Sequence, residues 1–279
     1  MTKCSTRIRM VGLDLDGTLL TSEKELTEHT RQVLTEAIRR GVVVLPATGR
    51  PLTGIPEKVL HFPGIRYAVA SNGSRIVDMK EGKVLLEQLV PYETGRKVLE
   101  ICSGCDAMLE VYYDGVGYAD REKLARIHEY VPAAPMARYI AGTRQGVDDV
   151  LALFEERKAP TDKVQAIFPT EELCREMWEK VKKEVPDIEI TGALRNNIEV
   201  NAKGVNKGRG LLMLGEILGI RREEIMACGD GANDIAMLRE AGLGVAMENA
   251  LDTVKEAADV ITLSNDCDGV AAAIEKYVL

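Results

Sequence analysis

No stretch of this sequence approaches the roughly 20 consecutive apolar residues that a membrane-spanning helix requires. The opening Met1 to Met10 carries Lys3, Arg7 and Arg9 but no apolar signal core and no small-residue cleavage site, so neither a membrane anchor nor export is expected. Cysteine is sparse: six in 279 residues, scattered apart from Cys102 and Cys105, which excludes a disulfide scaffold and makes a reducing cytoplasm the expected compartment. The Cys102-Ser103-Gly104-Cys105 pair has zinc or redox spacing. No second pair accompanies it, however, and it follows a helical pattern instead of opening one, so it reads as ordinary reduced thiols. His29, His61 and His128 lie outside every motif. Positive charge is also short, with a formal net charge of −8. The basic run Lys180 to Lys183 shares an amphipathic helical pattern with Trp178 and reads as a solvated face. With no basic stripe, a nucleic-acid partner is not expected, and small diffusible ligands fit better. Internal repeats and low-complexity tracts are absent.

What is present is the balance of a soluble globular protein, 46% hydrophobic and 29% charged, in a chain long enough for two domains. Short β-rich runs alternate with longer helical patterns, the signature of βα units on a parallel sheet. In the first part the strand-like runs are Ile8 to Leu15, Val42 to Leu45 and Tyr67 to Ala70, with a helical pattern from Thr27 to Arg40. The C-terminal part continues the theme: helix Val205 to Leu218, strand Ile225 to Cys228, helix Asn233 to Glu240, strand Gly244 to Ala246, helix Leu251 to Ala257, strand Val260 to Leu263 and helix Gly269 to Tyr277. These elements read as two halves of one sheet. Between them, residues 86–193 mix strand patterns (Met108 to Tyr113, Lys163 to Phe168) with helices (Asp148 to Lys158, Glu171 to Val185). The predicted organisation is an α/β core made of 1–85 and 194–279, interrupted by an inserted α+β domain.

Chemistry-bearing residues gather at the ends of the core strands, where open α/β sheets place their ligands. Asp14-Leu15-Asp16-Gly17-Thr18 puts two carboxylates two residues apart where an apolar strand stops, so both are expected to leave on a similar heading. Such acids repel unless a cation or proton intervenes, and a hard, oxygen-loving divalent ion such as Mg²⁺ would relieve the repulsion and also hold a phosphate oxygen. Gly17 allows a sharp backbone departure that turns main-chain amides towards an anion. A plain Asp-Gly turn is the competing reading. A calcium loop is ruled out, since Leu19 stands where its glycine must be and a strand, not a helix, precedes it. Ala47-Thr48-Gly49-Arg50 ends a second strand with phosphate-binding potential, or else with a simple helix cap at Thr48. Gly229-Asp230-Gly231-Ala232-Asn233-Asp234 follows a third strand. It could complete a metal site, with Asp230 as ligand and Asp234 supporting it from behind; a dinucleotide fingerprint fails because position 234 is Asp. Lys207 follows Asn206 near the start of the Val205 helix and acquires significance only from its company.

Together these four segments, in this order, closely resemble the motifs of the haloacid dehalogenase-like superfamily. The insertion, together with Asn72-Gly73 and Lys203-Gly204-Val205-Asn206-Lys207-Gly208, resembles its Cof-type phosphatases. The resemblance spans essentially the whole chain and implies a Rossmann-like core with a cap domain that sets substrate specificity. It implies Asp14 as nucleophile, Asp16 as general acid and base, and phosphate held by Lys207, Thr48, Asn233 and backbone amides, those of Leu15 and Gly49 included. It further implies Mg²⁺ on a side-chain oxygen of Asp14, the backbone carbonyl of Asp16 and Asp230, with Asp234 in support. Arg50 and Asn72 are candidates for the mouth of the site. The implied activity is hydrolysis of a small phosphorylated metabolite, a sugar phosphate above all. A phosphosugar mutase sharing the same covalent intermediate, or a non-catalytic regulatory module of the same fold, are the alternatives.

Overall fold

The computed structural model describes residues 7–279; the part of the opening segment that carries Lys3 and Cys4 lies outside the described residues. Among the described residues two compact units emerge, one of residues 7–49, 55–85 and 206–279, the other of residues 50–54 and 86–205. Among the described residues no helix is long and apolar enough to cross a membrane.

In the first unit, strands β1 (Met10–Leu13), β2 (Val43–Pro46), β3 (Tyr67–Ala70) and β4 (Arg75–Asp78) come first in the chain, followed by β5 (Lys83–Glu87), whose last two residues are counted in the second unit. The second unit holds β6 (Met108–Tyr113), β7 (Val116–Asp120), β8 (Arg144–Val147), β9 (Lys163–Ile167), β10 (Ile188–Thr191) and β11 (Asn197–Ala202). The chain then returns to the first unit with β12 (Ile225–Gly229), β13 (Leu243–Ala246) and β14 (Val260–Ile261). The core sheet is parallel, in the order β14-β13-β12-β1-β2. Its register pairs Leu13 with Pro46 on one side and with Cys228 on the other. All four residues of β1 are buried, as a strand covered on both faces requires. Helix Glu28–Arg39 begins at Thr27, whose side chain accepts from the Thr30 amide at 3.1 Å, and buries Val33, Leu34 and Ala37 at helical spacing. It packs against helix Gly269–Tyr277, while helix Lys207–Leu218 packs against helix Ile235–Glu240.

The second unit is a six-stranded sheet in the order β10-β11-β9-β6-β7-β8, antiparallel except where β7 pairs with β8. One face carries the apolar core, with Leu109, Val111, Val164 and Phe154 packed together. The neighbouring positions in strand sequence, Glu110, Tyr112, Lys163 and Gln165, are polar and equally buried. They survive burial by pairing: Arg144 Nε donates to Glu110 Oε2 at 2.9 Å, and Lys163 Nζ lies 3.1 Å from Glu199 Oε2. The predicted boundaries shift at two places. Residues 194–205 belong to the second unit, because β11 is hydrogen-bonded between β10 and β9. Residues 50–54 join it as well, since Thr53 bonds the Gly115 carbonyl through both its amide (3.2 Å) and its hydroxyl (2.8 Å).

The Arg144–Glu110 pair is nearly sealed from solvent, at 4% and 0% side-chain exposure, so breaking it strands a buried charge. Arg144→Leu is expected to cost about 3–5 kcal/mol in denaturant unfolding, and the double replacement of Arg144 and Glu110 by Leu to recover most of that loss.

Candidate active site

Three loops of the first unit converge at the C-terminal ends of β1, β2 and β12. β1 stops at Leu13, so neither Asp14 nor Asp16 stands within the strand. The Asp14 amide still donates to the Cys228 carbonyl at 3.0 Å, which ties the first acid to the end of β12. The chain then folds back on itself: the amides of Leu19 and Leu20 donate to the carbonyls of Asp14 (3.2 Å) and Leu15 (2.9 Å). Asp14 Oδ1 accepts from Lys207 Nζ at 2.7 Å, whereas Asp16 Oδ1 accepts from Lys24 Nζ, also at 2.7 Å.

Gly17 makes this turn possible. Its φ is +81°, and a Cβ built there would sit 2.3 Å from Asp230 Oδ2, so only glycine admits both the left-handed backbone and the close approach. Next to it, Thr18 Oγ1 donates to Asp230 Oδ1 at 2.7 Å. From the second loop, the Ala47 amide donates to the Leu13 carbonyl at 2.7 Å, which sets Thr48 beside the end of β1. Thr48 caps no helix; its amide bonds Val69 O (2.9 Å) and its carbonyl accepts from the Asn72 amide (3.0 Å). Asn72 is buried, and its Oδ1 accepts from Asn233 Nδ2 at 3.2 Å. Arg50 falls in the second unit, where its guanidinium stacks 3.8 Å over the Tyr139 ring and donates to the Gly54 carbonyl at 2.8 Å.

Lys207 is the first residue of its helix, fixed there by Asn206, whose Oδ1 accepts from the Arg209 amide at 2.8 Å. A cation at a helix N-terminus opposes the dipole. Here the opposition is overcome by two carboxylates, Asp14 at 2.7 Å and Asp234 at 2.6 Å, with Lys207 only 1% exposed. The other Asp234 oxygen accepts from the amides of Asp230 and Gly231, each at 2.9 Å. Asp234 is thus committed on both sides and organises the loop that presents Asp230. Oxygen atoms of Asp14, Asp230 and Asp234 all lie within 4.8 Å of one another. This all-oxygen, carboxylate-rich donor set suits a hard divalent cation.

Burial raises the Asp14 pKa well above the ordinary carboxylate range; Lys207 opposes the rise, and Asp234, Asp230 and Asp16 reinforce it. Burial and then Asp234 push Asp230 up to about 7. Burial disfavours the charged Lys207, yet Asp14 and Asp234 outweigh it and hold the lysine above its usual value. Several contributors carried no sequence signal of their own: Lys24, Asn249, whose Nδ2 donates to Gly17 O at 2.8 Å, and Asn265, which donates through its amide to Asn249 Oδ1 at 2.9 Å and through its side chain to Leu20 O at 2.9 Å. Thr18 lay inside a motif but had no role assigned.

The raised Asp230 value has a definite sign. The native state keeps a proton that the unfolded chain gives up above about pH 4, so the stability tied to that proton is full below that value and lost as pH rises through about 7. In chelator, unfolding midpoints of the wild type should therefore fall relative to Asp230→Asn across this window, and a saturating divalent cation, which competes with the proton, should remove the difference.

The haloacid dehalogenase-like hydrolase family model matches residues 11–274. The chain is 34% identical over 274 residues to a 5-amino-6-(5-phospho-D-ribitylamino)uracil phosphatase from Bacillus subtilis, covering 98% of this chain and 96% of the relative. It is 29% identical over 271 residues to an HMP-PP phosphatase from Serratia proteamaculans, covering 95% and 93%. A solved haloacid dehalogenase-like hydrolase from B. subtilis superposes with a TM-score of 0.85 at 27% identity, covering 98% of this chain and 100% of that one. With a match that runs nearly end to end, the chain belongs to the haloacid dehalogenase-like hydrolases, in their Cof-type branch.

Proposed function

We propose that this protein is a Mg²⁺-dependent phosphatase that moves the phosphoryl group of a small organic phosphomonoester first to Asp14 and then to water. The observation that carries the reading is the meeting of Asp14 with Asp230 and Asp234, from the far end of the chain, within 4.8 Å of one another, with the amine of Lys207 bonded to Asp14 and Asp234. A structural ion pair would need one carboxylate, not three. Asp14, Asp230 and the Asp16 backbone carbonyl would hold the ion, with Asp234 behind them; when bound, Mg²⁺ supplies positive charge beside the phosphate oxygens.

The chain's own groups account for the steps. An oxygen of Asp14 attacks phosphorus, a P–O bond to Asp14 forms, and the P–O bond to the leaving group breaks. Lys207, Thr48, Asn233 and the backbone amides of Leu15 and Gly49 bind the remaining phosphoryl oxygens, the positioning and charge neutralisation that phosphoryl transfer chiefly demands. Asp16 gives a proton to the departing oxygen. It then takes one from the water that attacks phosphorus and frees Asp14, a role worth about 10²- to 10⁴-fold in rate. Asn72, bonded to Asn233, belongs at the rim of this site. The second unit, Arg50 included, is assigned the choice of leaving group, with a sugar phosphate or similarly sized metabolite as the expected class. Relatives named for a phosphoribitylamino pyrimidine and for HMP-PP support small phosphorylated molecules as substrates.

Phosphate release across a panel of phosphorylated metabolites and one aryl phosphate tests this. Release should require Mg²⁺, stop in chelator, vanish in Asp14→Asn, and slow by about 10²- to 10⁴-fold in Asp16→Asn. No release by the wild type from any compound would contradict hydrolysis. Interconversion of hexose phosphates without net phosphate would instead make the protein a mutase.

A further inference from the structure

Between Asp16 and helix Glu28–Arg39 the chain makes a tight turn, Thr21 to Glu25, closed by the Thr21 amide on Glu25 O (2.9 Å), the Lys24 amide on Thr21 O (2.8 Å) and the Glu25 amide on Thr21 Oγ1 (3.0 Å). Lys24 occupies the left-handed region, at φ +64°. Glycine or asparagine is the natural occupant of that conformation, and a lysine there holds strain. Its side chain is where the strain leads: Nζ donates to Asp16 Oδ1 at 2.7 Å. The two side chains are 27% and 24% exposed, and ion pairs this close to solvent contribute little to stability. Stability therefore does not explain why a lysine is kept in a backbone conformation that disfavours it, and a strained residue beside a reacting group points to function.

The turn is also tied down more firmly than a connecting loop requires. On one flank, the Ser22 amide and hydroxyl both donate to Asp266, each at 2.7 Å. On the other, Lys58 Nζ donates to the Lys24 carbonyl at 3.0 Å and pairs with Glu25. Asn265 holds the Leu20 carbonyl just before the turn, where Leu20 makes an isolated bridge with Asp16. All of these contacts lie within the first unit. Each one restricts where the Lys24 amine can go.

We propose that Lys24 is a positioning residue that fixes the orientation of the Asp16 carboxylate, and that the Thr21–Glu25 turn, clamped by Asp266 and Lys58, exists to deliver it. An aspartate with one oxygen in a fixed hydrogen bond loses rotation about its side-chain bonds, so the direction of the other oxygen is set before substrate arrives. The inference rests on the assignment of Asp16 as the group that exchanges protons with the leaving oxygen and with water.

The test is steady-state hydrolysis of an aryl phosphate with Mg²⁺, together with melting temperatures, for Lys24→Gly, Lys24→Met, Lys24→Arg and Asp16→Asn. Glycine relieves the strain, so Lys24→Gly should melt no lower than the wild type while its kcat falls by about 10- to 100-fold and its KM stays within about twofold. Lys24→Met should lose kcat to a similar degree and Lys24→Arg should recover most of it. The double variant Lys24→Gly/Asp16→Asn should be no slower than Asp16→Asn alone. A wild-type kcat in Lys24→Gly overturns the proposal, as does a kcat loss that tracks a fall in melting temperature with Lys24→Arg no better than Lys24→Met. If Asp16→Asn itself turns over at the wild-type rate, the assignment of Asp16 fails, a result distinct from a slow Asp16→Asn beside a fast Lys24→Gly.

Discussion

The amine of Lys207, buried between the carboxylates of Asp14 and Asp234 at 2.7 and 2.6 Å, is the interaction on which the rest of the site depends. Three carboxylates within 4.8 Å could not share a buried space without compensating charge, because desolvation and mutual repulsion both oppose ionisation. Lys207 supplies one such charge at a fixed point. The deficit that remains is visible in the raised values of Asp14 and Asp230, and it is the electrostatic reason that the site favours a second, divalent cation.

The fold meets this demand with backbone constraints more than with side-chain packing. The parallel register that pairs Leu13 with Cys228 and with Pro46 ends three strands at one level, so the residues that follow each strand start from a common place. Asn206 caps the helix that opens with Lys207, and Asp234 draws the amides of Asp230 and Gly231 onto one of its oxygens. Gly17 permits the close approach of the first loop to Asp230. Each device fixes one donor or acceptor before any ligand is present, which is what preorganised electrostatics requires.

How much of this could be read in the sequence follows from the range of the interactions involved. Apolar runs ending in acid, hydroxyl or glycine marked the ends of β1, β2 and β12 to within about two residues, because buried parallel strands and the loops beyond them differ sharply in composition. That Asp14 and Asp16 take different amines as partners was not legible, since Lys207 and Lys24 reach them from separate segments of the chain. Lys24, Asn249 and Asn265 were missed for the same reason: an exposed-looking lysine and two asparagines acquire meaning only when distant loops meet. In the second unit the outer strand β10 and its neighbour β11 were passed over, and with them the boundary at Val205, because the polar positions of β11, Asn197, Glu199 and Asn201, are buried against tertiary partners instead of apolar ones.

The proposed function turns on one chemical step, in which Asp14 itself would carry the phosphoryl group during turnover. Rapid mixing of the protein with a good phosphomonoester substrate and Mg²⁺, acid quenching within the first turnover, and mapping of the modified peptide by mass spectrometry tests it most directly. One phosphoryl group on Asp14, absent from Asp14→Asn, is the result predicted. A phosphoryl group on another residue, or phosphate released in that first turnover without any covalent adduct having formed, would contradict it.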